Sequence, residues 1–231
     1  MGSHHNYFAT ALNKAGVTRQ FLMNEIALVI LGWLLGLLSP LVVQGIRNEY
    51  RRREIEKGIL AELVDVRFRM ASVVYITTIR FGNYDRDLVK WLIPLFEEYQ
   101  GENPKENLLD LLRKQLELDD KKFSEVAMYG KASPGQGLSV KKYRLPYLES
   151  KVAELSLFPQ LFQRLALEIL ANLHLHNEEI EEARFYFKLT YESGLSTENY
   201  ERALQGANES YRKLGERAKI IVERINSLKN I

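Results

Sequence analysis

Cysteine is absent from the 231 residues, while histidine occurs four times and proline six. Without thiols there is no disulfide framework, no thiolate nucleophile and no cysteine zinc site, and the absence agrees with a reducing compartment. Charge of one sign is lacking too. With 32 basic and 30 acidic side chains the formal net charge is +2, which gives no direct sign of nucleic-acid binding. Neither the Gly-Lys-Ser/Thr ending of a P-loop nor the dinucleotide glycine fingerprint occurs. Only His174 and His176 follow the first few residues, and no Arg–His pair lies five positions apart as a helical nuclease needs. An activated nucleophile beside a base therefore has few candidates. The chain reads as no enzyme, with no cofactor implied.

What is present is a run of eighteen uncharged residues, Ile26 to Val43, built mostly of Leu, Ile and Val and followed by Arg47, Arg51, Arg52 and Arg53. Charge and unpaired backbone are costly in hydrocarbon, so an apolar helix of roughly 20 residues is what a bilayer of about 30 Å selects. A cleaved signal peptide has a shorter apolar region followed by a small-residue cleavage site, whereas this run passes into Gln44, Gly45, Ile46 and the arginines. A buried core helix is amphipathic more often than apolar on every face. The expectation is a single transmembrane helix over 25–46.

Cationic flanks stay on the cytoplasmic side. Lys14 and Arg19 precede the run, while Arg47, Arg51, Arg52, Arg53 and Lys57 follow it. The C-terminal bulk is thus expected in the cytoplasm, at the cell inner membrane, with 1–24 a short extracytoplasmic segment. Its opening Met1-Gly2-Ser3-His4-His5 has the look of a tag remnant. The four arginines suit anionic headgroups of the lipid membrane. Gly32 and Gly36 form a small-xxx-small pair that lets another backbone approach, so homo-oligomers are expected, and Pro40 is placed to bend the helix.

The remainder predicts an all-α fold. Ile59, Leu63, Val66, Met70 and Val73 alternate steps of four and three, carrying a helix from the membrane to about Arg80 before Phe81-Gly82-Asn83 turns the chain. Leu88, Trp91, Leu92, Leu95 and Phe96 mark a further helix over 85–100, with a kink at Pro94. Asn103-Pro104 then opens one carrying Leu108, Leu111, Leu112 and Leu116. The clearest periodicity comes last. Tyr200, Leu204, Ala207, Tyr211, Leu214, Ala218, Ile221, Ile225 and Leu228 keep coiled-coil-like spacing, as do Ala166, Ile169, Leu173, His176, Ile180, Ala183 and Phe187 upstream. Gly194 as a helix stop and Ser196 as an N-cap predict a long antiparallel helical hairpin, with arms near 45 Å at 1.5 Å per residue. The expected organisation is 25–46 as the span, 47–130 as a membrane-proximal helical region, 131–145 as a loop and 146–231 as the hairpin region.

Within the loop, Ser133, Pro134, Gly135 and Gly137 interrupt the pattern, and Lys131, Lys141, Lys142 and Arg144 supply positive charge. Glycine-rich backbone with cations can wrap a phosphate-bearing ligand such as a nucleotide signal, although a mobile surface loop is the simpler expectation. A metal site at His174 and His176 with the following glutamates is not expected. Residues two apart on a helix do not face together, and His176 falls on the apolar seam, where a core histidine with one hydrogen bond is expected.

One span followed by a helical cytoplasmic body is similar in layout to prokaryotic membrane effectors of defence systems, a resemblance that transfers no site residues. Two functions follow. One is an oligomeric membrane effector, pore or scaffold assembled through the span and the cytoplasmic helices. The other is a membrane-tethered sensor or docking module for a phosphate-bearing ligand or a protein partner.

Overall fold

The computed structural model describes residues 5–101, 105–133 and 135–231, with side chains from Leu28 onward except Leu41. The expected cap at Asn103-Pro104 and the loop residue Pro134 lie outside the described residues. Those described form helices and connecting turns, with no strand among them. The helices are α1 (His5–Phe81), α2 (Arg86–Glu97), α3 (Glu106–Glu117), α4 (Asp120–Gly130), α5 (Pro146–Lys151), α6 (Gln160–Leu189) and α7 (Thr197–Lys229), and a 3₁₀ segment (Val152–Leu157) follows α5. Two compact units divide the chain, Met1–Arg53 and Glu54–Ile231.

In the first unit, every described side chain from Leu28 to Val43 is exposed, including Trp33 at 66 %. α1 is the helix among those described that is long and apolar enough to cross a membrane. After it comes a polar collar. Gln44 donates to Asn48 at 3.0 Å, and Glu49 accepts from Arg52 at 3.0 Å and Arg53 at 2.8 Å.

The second unit is built on the opposite pattern. The seam Ile59, Leu63, Val66, Met70 and Val73 is buried, joined by Ala166 to Ala183 of α6 and Ala207 to Leu228 of α7 at the expected positions. Tyr200 and Leu204 at the start of α7, and Phe187 near the end of α6, are less covered. One apolar face per helix, repeated at helical spacing, is what lets several helices share one core. α6 and α7 pack together closely, with Glu168 bonded to Arg224 at 2.8 Å, Asn172 facing Arg217, and Tyr186 over Gly206. Ser196 caps α7 by accepting from the Asn199 N–H, as its hydroxyl suits it to do. Asp85 does the same for α2.

Polar groups fix the remaining elements. Glu62 of α1 accepts from the backbone N–H groups of Tyr147 and Leu148, each at 2.9 Å, and so caps α5, while Gly58 one turn earlier leaves room for the Tyr147 ring. Arg67, 4 % exposed, donates to Glu98 at 2.8 Å and Asn226 at 2.9 Å, tying α1 to α7 and the end of α2. That guanidinium holds the Glu98 carboxyl below its ordinary range, helped by Lys229.

Candidate functional site

The loop cations do not gather at one point. Lys142 pairs with Glu181 of α6 at 2.9 Å and Arg144 with Glu149 of α5 at 3.1 Å, while Lys141 is exposed. A carboxylate already beside each of two cations leaves less charge for a ligand. Nor is the segment loosely attached. Ala132 N–H donates to the Arg80 carbonyl at 3.0 Å and Arg184 to the Val140 carbonyl at 2.9 Å, while the Asn177 side chain both accepts from and donates to the Tyr143 backbone. Gly137 fits under the Phe187 ring, where a Cβ would come within 2.7 Å of it. Glycines and proline mark a break in periodicity and so predict a mobile loop, but the side chains that tether it come from α6, far along the chain.

Lys131 stands apart from the other three. It lies beyond α4, where Gly130 meets Ile79 of α1 so tightly that a Cβ would come within 2.4 Å of that side chain. With the Ala132 bond to Arg80 on its other side, Lys131 is held at the C-terminal end of α1. There it lines a cavity of about 520 Å³ with Thr77, Thr78, Phe81, Asn83, Arg212 and Glu216. The approach of α1 to α7 at Thr77 depends on Gly215 of α7, whose missing Cβ leaves space for Thr77 Oγ1. Phe81 stacks on buried Tyr211 with ring centroids 4.7 Å apart. It also lines two adjoining hollows, one with Gln205, Asn208 and Arg212 and one with Arg80, Lys131 and Asn208. Arg212 is engaged by Glu209 at 2.7 Å and by Glu216.

These residues were not singled out together from the sequence, apart from Lys131. The signal available was the turn Phe81-Gly82-Asn83, which places an aromatic and an amide where a long helix stops.

His176 is fully buried, as its seam position predicts, with the Leu214 backbone as its polar neighbour. Burial, with Arg217 nearby, pushes its pKa down to about 4. Glu179 is held above its ordinary value by burial. No cluster of three metal-ligating side chains occurs among the described residues. Gly32 and Gly36 have open space around them, and Pro40 is exposed beside them. No protein-family model, curated protein or solved structure matches this chain.

Proposed function

We propose that this chain is a single-pass inner-membrane protein with a cytoplasmic helical body, and that its spans self-associate to act as an oligomeric membrane effector, pore or scaffold, in the manner of prokaryotic defence effectors. One observation carries the reading: a stretch of large aliphatic side chains is exposed on every side of its helix. Water is a poor solvent for that surface, at about 25 cal/mol per Å², whereas lipid is a good one. A core helix would be covered by its own chain, and the apolar window here is not buried at all. The Lys and Arg excess after the span favours a cytoplasmic body.

α6 and α7 are read as an antiparallel hairpin, supported by the pairing of 168 with 224, 172 with 217 and 186 with 206. Their seams supply the chain's own core, and the span, where Gly32 and Gly36 remain open, offers a surface for self-association. Conduction by one apolar helix is impossible, so a pore requires several chains.

The test is fractionation of cells expressing the intact chain, with carbonate washing and protease access in spheroplasts, followed by sedimentation in mild detergent. Full-length protein in the washed membrane, a body shielded from external protease and a defined oligomer are expected. Release into the supernatant overturns the anchor, and a strict monomer overturns the assembly. The second reading, a membrane-tethered sensor, is favoured by the polar cavity at the end of α1.

A further inference from the structure

Three hollows meet around Phe81, and Lys131, Asn208 and Arg212 are each shared by two of them. Their combined chemistry is specific. Tyr211 stacks on the Phe81 ring, and Phe81 lines all three hollows. The amides of Gln205 and Asn208 on α7 and of Asn83 beside α1, with the Thr78 hydroxyl, make no side-chain hydrogen bond among the described residues. Amide side chains match the donor and acceptor edges of a nucleobase, and an aromatic ring offers its face for stacking.

The charge limits what else can enter. Arg212 is occupied by Glu209 and Glu216, and Arg80 donates to Gln136, so Lys131 is the cation lining these hollows with no partner among the described residues. One free ammonium suits one phosphate, and the three glutamates lining the hollows, Glu201, Glu209 and Glu216, repel a longer polyphosphate or a nucleic-acid backbone. Lys131 is also prepositioned by its neighbours, through Gly130 against Ile79 and Ala132 on Arg80. A volume of about 520 Å³ is within the range of small-molecule sites.

We propose that the hollows joined at Phe81, at the C-terminal end of α1, together bind a nucleoside monophosphate, its base against Phe81 in the hollow lined by Gln205 and Asn208 and its phosphate at Lys131 in the neighbouring one. The inference rests on the sensor reading of the helical body and is independent of where the span resides. It moves the expected ligand site away from Lys141, Lys142 and Arg144 and keeps only Lys131.

The experiment is calorimetric titration of the full chain in detergent with the 5′-monophosphates of adenosine, guanosine, cytidine and uridine, beside adenosine and inorganic phosphate alone. At least one monophosphate is expected to bind more tightly than about 1 mM, and more tightly than adenosine or inorganic phosphate. Lys131→Ala, at an exposed position, is expected to weaken it roughly ten- to hundredfold without changing the melting temperature of the free protein. Phe81→Leu is expected to weaken it roughly five- to hundredfold, and Lys142→Ala to leave it unchanged. Binding that survives Lys131→Ala but is lost in a Lys142→Ala, Arg144→Ala pair overturns this site while preserving the sensor reading. Binding of inorganic phosphate as tight as that of any monophosphate overturns the base contact, and no binding by any of the six compounds overturns the proposal and the phosphate-sensor reading together.

Discussion

The stretch of α1 from Leu28 to Val43 and the helix α7 are both supplied with large aliphatic residues, yet those of the first are exposed and most of those of the second lie in a core. Phase makes the difference. In α7 the aliphatic positions recur at helical spacing, so one face turns inward and the other, carrying Arg212, Lys213, Glu216 and Glu223, turns out. In the N-terminal stretch there is no outward polar face, and none of its described side chains is covered by the chain. Apolar content alone thus says little about burial; its distribution around the helix decides which solvent the surface needs.

Charging the apolar stretch is the strongest way to break that contrast. Leu34→Arg with Leu35→Arg adds about 2.5–3.5 kcal/mol for each central charge, and the double variant is expected in the soluble or degraded fraction of lysed cells. Leu167→Arg on the exposed side of α6 is expected to stay within about 0.5 kcal/mol of the parent. Equal membrane recovery for parent and double variant would refute the contrast.

Removing the buried tie in the second unit comes next. Arg67→Met deletes charge-assisted bonds to Glu98 and Asn226 and is expected to lose about 1.5–3 kcal/mol in urea unfolding of the full chain in detergent. A third variant contrasts two glycines. Gly215→Ala places a methyl group within 2.3 Å of Thr77 Oγ1 in a buried crossing, at a cost of about 1–3 kcal/mol. Gly36→Ala meets open space, should leave unfolding of the body unchanged, and is read instead in oligomer size by sedimentation.

At pH 7 the smallest effect concerns His176, whose weight appears only on acidification. Replacing this buried imidazole, which meets the Leu214 backbone, as in His176→Leu, is expected to change the stability of the body by less than about 1.5 kcal/mol at pH 7. The folded-state pKa near 4 lies below the ordinary 6.5, so the unfolded chain takes up the proton first as pH falls. The parent therefore loses roughly 3 kcal/mol of stability between pH 6.5 and 4, a loss that the variant should not show in pH-dependent unfolding. Glu98 acts in the same direction at lower pH, because its depressed carboxyl stabilises the fold only while ionised. Parallel acid limbs for parent and variant would remove His176 from the account.

Much of this architecture is legible in the residue pattern. The seams through Met70, Leu173 and Leu214, the stop after Arg80 and the cap at Ser196 follow from helical spacing and capping chemistry, which act over a few neighbours. The cavity is not legible, because Phe81, Lys131 and Arg212 are far apart in the chain and become neighbours only when Gly130 fits against Ile79 and Gly215 against Thr77. Linear pattern is equally blind to ion pairing. Lys131, Lys142 and Arg144 look alike as loop cations, and only the positions of Glu181 and Glu149 separate those with a carboxylate partner from the one without.

By itself, then, the order of residues determined that the chain is helical, which faces are apolar, and that one segment is apolar all round, since each of these depends on contacts within a turn or two. Tertiary packing alone decided that the 131–145 segment is tethered and that an aromatic ring, three amides and a lysine border the end of α1. Those outcomes depend on how closely distant helices can approach, which is set by glycines whose significance appears only when the opposing side chain is in place.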